Sequence, residues 1–342
     1  MKAMLLEHIA PVEENRPSLR LADVADPLPG DEEILVKVTM CGVCHTELDE
    51  IEGRTPPARL PVIPGHQVVG TVVARGRHAQ KFNIGARVGI AWIFSSCVSC
   101  TFCRRGDENL CATFRATGRD ANGGYAEFMT AYQDYAFAIP DTLSDLDAAP
   151  LLCAGAIGYR SLRLTGLGDG QILGLTGFGA SAHLVLKMAR YRFPNGKVFV
   201  FARSPQEQEF ALELGAAWAG DTSERSPEKI DAIIDTTPVW KPIVEALANL
   251  VPGGRLVVNA IRKEGRDIDA LLKLSYPTHL WMEKEIKSVA NVARRDVREL
   301  LQLAAEMRIR PEVQEYPLAD ANRALIELKQ ARIRGAKVLR VS

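Results

Sequence analysis

Short apolar runs, several of them alternating with polar residues, recur through the first 150 residues and are separated by Gly and Pro. Ile34–Val38, Val68–Ala74 and Arg87–Trp92 read as strands on this pattern. Only the segment after Cys44 looks helical in this region. Near Leu151 the pattern changes. A helix is expected from Ala148 to Leu164, then a strand over Gln171–Leu175, a turn at Gly177-Phe178-Gly179 and an amphipathic helix over Ala180–Tyr191. The alternation continues with a strand at Lys197–Phe201, a helix at Pro205–Leu214 and a strand at Ile230–Ile234. A helix at Lys241–Leu250 and a strand at Arg255–Asn259 follow. Strands alternating with helices predict a parallel, doubly wound sheet. Beyond about residue 290, helices at Asp296–Met307 and Ala319–Lys329 and a strand at Lys337–Val341 are expected to rejoin the first domain. The chain thus reads as an α/β protein of two domains, 1–150 completed by 291–342, and 151–290.

Charge narrows the partners. Lys and Arg together number 42, as do Asp and Glu, so formal net charge is zero. That argues against nucleic acid or an anionic membrane as a partner. No apolar run reaches the ~18–20 residues that span a bilayer, and Met1–His8 is apolar too briefly for a secretory signal. A cytoplasmic location is expected.

In a reducing compartment clustered cysteines point to metal rather than to disulfides, and a total of seven pairs badly. Cys97, Cys100, Cys103 and Cys111 follow C-x2-C-x2-C-x7-C within a lobe at 95–112, a spacing that folds a loop around a closed structural zinc. Cys44, His66 and Cys153 offer two thiolates and an imidazole with a fourth position left to exchange, the donor set of a catalytic zinc. Two zinc ions per chain are therefore expected.

Gly177-Phe178-Gly179-Ala180 follows an expected strand and opens an expected helix. Small residues there let backbone N–H groups reach a pyrophosphate. The next strand ends in Ala202-Arg203-Ser204 without the carboxylate that usually takes a ribose 2′-hydroxyl. Arg203 offers a fork of donors suited to a 2′-phosphate, so NADP is favoured over NAD. Ser204 can also cap the following helix, with Pro205 at its first position.

Taken together, Cys41-Gly42-Val43-Cys44-His45-Thr46, Gly65-His66, the four-cysteine lobe, Gly123-Gly124-Tyr125-Ala126-Glu127, Leu152-Cys153-Ala154-Gly155 and the glycine turn resemble the zinc-dependent medium-chain alcohol dehydrogenases over essentially the whole chain. The resemblance implies a GroES-like catalytic domain, a Rossmann cofactor domain and a homo-oligomer, tetramer or dimer. It implies Cys44, His66 and Cys153 as catalytic ligands, with Cys41 as the spare thiol. It also implies Thr46 as the hydroxyl that bonds the substrate oxygen, and His45 and Arg334 as cofactor phosphate contacts. Glu47 falls where a carboxylate orients the ligand histidine. Gln67 replaces the family's usual glutamate after that histidine, and Asp49 stands where many members place a relay histidine. Trp92 and Ile93 align with pocket-lining positions. The implied activity is that of an alcohol dehydrogenase or aldehyde reductase on a small alcohol or aldehyde. The alternatives are polyol, threonine or cinnamyl-type dehydrogenase activity, or a nicotinamide-binding module without catalysis.

Overall fold

The computed structural model describes residues 1–342, which divide into two compact units, 1–156 with 292–342, and 157–291. In chain order the first unit opens with β1 (Lys2–Leu5), β2 (Arg20–Asp23) and β3 (Glu33–Val43), after which α1 (His45–Ile51) leads to β4 (Val68–Arg75). Then come β5 (Arg87–Ile90), β6 (Ile93–Ser95), α2 (Thr101–Arg104), β7 (Arg115–Ala116), β8 (Phe128–Tyr132), β9 (Ala136–Ala138) and α3 (Asp145–Pro150). The expected helix over 148–164 is broken. Pro150 offers no N–H to the helical ladder, and Leu151–Gly155 forms a wide π-helical turn before α4 (Ala156–Thr165).

The second unit continues with β10 (Ile172–Thr176), α5 (Ala180–Arg192), β11 (Lys197–Phe201), α6 (Pro205–Glu213), β12 (Trp218–Gly220) and β13 (Ile230–Asp235). It ends with α7 (Lys241–Leu247), β14 (Leu250–Val258) and β15 (Glu285–Ser288). Its sheet runs β12-β11-β10-β13-β14-β15, all parallel, which is the doubly wound order with its reversal between β10 and β13. The helix expected to reach Leu250 stops at Leu247, because Leu250 already pairs with Ile230. Residues 251–254 then bulge out before Arg255 rejoins the ladder.

Returning to the first unit, α8 (Arg294–Glu306), β16 (Val313–Pro317), α9 (Ala321–Lys329) and β17 (Ala336–Arg340) complete the chain. The main sheet here runs β16-β17-β3-β4-β5-β9, with β8 also on β3. β3 is eleven residues long and exchanges partners along its length: β8 and β4 at its start, β17 and β4 at its end. Ile34, Val36, Val38, Val68, Val72, Val88 and Ile90 fill the core around it. The end of β3 therefore rests on a rigid base and delivers Cys44 to the start of α1. No helix is long and apolar enough to cross a membrane.

Candidate metal and cofactor sites

Two turns hold the first donor group. Cys44 is extended (φ −133°, ψ 162°) at the start of α1, and its N–H donates to Oε2 of Glu47 at 2.8 Å. Gly65 precedes the second donor with φ +100°, and a Cβ there would lie 2.4 Å from the Tyr125 ring, so glycine alone presents His66 in this way. The third donor, Cys153, sits in the π-helical turn, a form often found at functional positions.

The Sγ atoms of Cys44 and Cys153 are 4.0 Å apart, and these sulfurs and a ring nitrogen of His66 all lie within 4.8 Å of one another. A disulfide needs about 2.05 Å, whereas two sulfurs on one tetrahedral zinc stand about 3.8 Å apart given Zn–S bonds near 2.3 Å. His66 is fully buried, and Oε1 of Glu47 stands 2.6 Å from its Nδ1, off the alignment of a full hydrogen bond. Its Nε2 is buried without a partner. An orphaned imidazole nitrogen beside two sulfurs is the donor arrangement a zinc ion satisfies.

Protons reveal the same conflict. The contact with Cys153 draws the Cys44 thiol well below its usual range, while that contact and burial hold Cys153 well above. Burial pulls His66 down, but Glu47 and Cys44 outweigh it and keep the ring well above its usual value. A divalent cation displaces these protons and removes the conflict.

Around the donors, Thr46 is buried, and its Oγ1 accepts from Cys44 Sγ at 3.5 Å. Asp49 is buried and tied to Arg54, with Nε to Oδ1 at 2.5 Å. Gln67 is buried, and its side chain fills the space above Gly42, where a Cβ would come within 2.7 Å of it. Cys41 is buried but outside the donor group. Trp92 and Ile93 are buried in a small cluster with Ala116 and Tyr135. His45 and Arg334 are exposed.

The lobe brings its four sulfurs within 4.8 Å of one another as well, with Cys97 and Cys103 at 3.8 Å. The N–H of Cys100 donates to Cys97 Sγ at 3.3 Å, and that of Cys103 to Cys100 Sγ at 3.5 Å. Backbone donors from Cys100 and Ser99 draw the Cys97 thiol down to about 5, and burial pushes Cys103 up to about 11. Arg294 clamps the lobe through Glu108, its Nε standing 2.8 Å from Oε1.

In the second unit the cofactor turn follows β10. Gly177 has φ +77°, and a Cβ on it would meet Oγ1 of Thr236 at 2.9 Å. Gly179 precedes Ala180 at the start of α5, and nothing lies within 4 Å of where its Cβ would be. No side chain caps α5, so its first N–H groups face an open cradle of the kind a pyrophosphate fills. Arg203 is exposed after β11, and Ser204 Oγ accepts from the Glu207 N–H at 3.4 Å as the cap of α6.

Of the buried charges not singled out from sequence, three bear on these sites. Asp235, at the end of β13, accepts from Thr176 Oγ1 at 2.5 Å and from Thr237 Oγ1 at 2.8 Å, and it pairs with Lys263. An acid closing the apolar run Ile230–Ile234 was its only signal. The third is Glu50 on α1.

A doubly wound parallel sheet with a glycine cradle, joined in one chain to a β-rich unit bearing two compact thiol clusters, combines a nucleotide-binding architecture with two groups of donors suited to zinc. Residues 30–141 match the family model of the alcohol dehydrogenase GroES-like domain, and residues 208–339 that of the zinc-binding dehydrogenases. The chain is 44% identical to the "Probable alcohol dehydrogenase AdhA" of Mycobacterium tuberculosis, over 92% of this chain and 90% of that one. It is 33% identical to an alcohol dehydrogenase of Geobacillus stearothermophilus, over 97% and 99%. A cinnamyl alcohol dehydrogenase structure from Sorghum bicolor superposes with a TM-score of 0.84 at 27% identity, covering 99% and 97%. The chain belongs to the medium-chain, zinc-binding alcohol dehydrogenase family, with GroES-like and Rossmann domains.

Proposed function

We propose that this protein is a zinc-dependent alcohol dehydrogenase and aldehyde reductase that uses NADP in preference to NAD. The observation that carries the reading is the compact group of Cys44, His66 and Cys153, with a buried, unpartnered His66 nitrogen among the donors. The lobe cysteines would hold a second, structural zinc. Relatives named as alcohol, cinnamyl alcohol and mannitol dehydrogenases support the reaction class.

Zinc in the three-donor site supplies a Lewis acid toward the substrate oxygen. Bound nicotinamide supplies the two-electron donor or acceptor. The chain's own residues orient and move protons. Glu47 stands at Nδ1 of His66 and leaves Nε2 to the centre. Thr46, on the first turn of α1 beside Cys44, accepts the hydroxyl proton of the alcohol at its Oγ1 as it passes its own hydroxyl proton on. With Asp49 engaged by Arg54, the proton leaves by water. Gly177, Gly179 and Ala180 receive the pyrophosphate. Arg203, with Ser204, faces the ribose 2′-phosphate.

The test is turnover of aliphatic and aromatic aldehydes with NADPH and with NADH. NADPH should be preferred, and Arg203→Ala should raise its KM about tenfold while leaving that for NADH nearly unchanged, as for loss of one charge-assisted contact. An NADH preference in the parent would remove Arg203 from this role.

The seven unpaired cysteines suit a reducing cytoplasm. β15 is the exposed edge of its sheet, Trp281 and Leu272 earlier in the chain are exposed as well, and an open edge is a template for pairing. A dimer or tetramer is therefore expected in light scattering of the purified protein. A monomer at every concentration would exclude it.

A further inference from the structure

Six of the seven residues of α1 are buried, and three of these are carboxylates. Two have partners: Glu47 meets the Cys44 N–H and His66, and Asp49 meets Arg54. Glu50 has none. It is 1% exposed, and neither carboxylate oxygen has a hydrogen-bond partner. An unpartnered buried carboxylate is strongly unfavourable unless some charge answers it.

Its position says where that charge belongs. Glu50 lies four residues after Thr46, one turn along the same helix face. Its carboxylate is close enough to Cys44, His66 and Cys153 to act electrostatically on all three. Arg119 is also within its reach, but that guanidinium is bonded to Asp120 at 2.7 Å and lies over the Trp92 and Phe114 rings. Burial, and then Glu47, push the Glu50 carboxyl well above the usual range, and His66 and Arg119 offset them only in part. It is not one of the compact donors, so it acts through space rather than as a ligand.

We infer that Glu50 is a positioning residue for the cation of the Cys44, His66 and Cys153 centre, a buried carboxylate whose negative charge favours occupancy of that site by a divalent ion and thereby retains it. This rests on the metal reading proposed above. Two thiolates already neutralise the ion, and Gln67 adds no charge. Glu50 supplies a further negative charge from within the fold and slows the loss of the metal.

The experiment follows zinc release from the purified holoenzyme into excess EDTA, with Cys44→Ser marking the phase that belongs to the lobe. Glu50→Gln keeps the shape and removes the charge. It should speed the other phase at least tenfold, and the metal-free variant should melt at or above the metal-free parent. Glu50→Asp, which keeps the charge, should restore most of the retention. Unchanged release from Glu50→Gln overturns the inference. So does faster release with a lower metal-free melting temperature, the mark of a side chain that merely supports α1. If Cys44→Ser holds as much zinc as the parent, the metal reading itself fails. If the parent holds more zinc and Glu50→Gln behaves like the parent, only the role of Glu50 fails.

Discussion

Cys44→Ser should lower kcat/KM by about a thousandfold or more, about 4 kcal/mol of transition-state stabilisation. Serine removes one of two thiolates from a centre that has three protein donors, and it leaves Cys153 and His66 without a partner in charge. Zinc content by elemental analysis should fall by one equivalent, while the lobe keeps its own. The fold should survive, because α1 is still held by the Glu47 contact to the backbone of residue 44. Cys41→Ser is the control. That thiol is more deeply buried than Cys44 and lies outside the donor group, so zinc content should be unchanged. Full activity in Cys44→Ser would dismiss the site.

Lys263→Met should destabilise the cofactor unit by about 3–5 kcal/mol, the usual cost of leaving one half of a buried ion pair. Asp235 is fully buried, and Lys263 is 8% exposed at the side chain. The lysine ammonium also bonds the carbonyls of Thr237 at 2.6 Å and Val239 at 3.1 Å. Without it, Asp235 keeps only the Thr176 and Thr237 hydroxyls and a weak N–H contact from Thr237 as donors. Because Thr236 abuts Gly177, the pyrophosphate cradle should loosen as well. Urea unfolding and the Kd for NADPH read the two effects. The double variant Lys263→Met with Asp235→Asn should recover most of the stability, since no unpaired charge is then left inside. A single variant as stable as the parent would show that the pair contributes nothing net.

The two clusters of thiols, one with a histidine, were legible in the sequence because the chemistry that calls for them fixes residue type and, in the lobe, spacing. Four cysteines inside fifteen residues leave few other uses in a reducing compartment. The regular strands of the doubly wound sheet were legible because burial on both faces makes them apolar runs. β15 was not, since all four of its residues are exposed and two are charged. The break at Leu151–Gly155 was hidden because its residues continue the apolar pattern of a helix, and only Pro150 hints at it. Glu50 was the hardest case. His-Thr-Glu-Leu-Asp-Glu-Ile reads as an amphipathic helix with a wet acidic side, yet Glu47, Asp49 and Glu50 are all buried.

The π-helical turn that carries Cys153 makes chain length matter there as much as the identity of that thiol. Each residue of a regular helix advances the chain by about 100° around the axis. Deleting one residue from Leu151–Gly155 would let the ladder of α3 run straight into α4, and the thiol would be carried to another side of the helix. Conservative exchanges among its small and aliphatic side chains leave that count intact. Along a lineage the aliphatic positions of this segment should therefore drift in spelling, while Cys153 and the number of letters are kept.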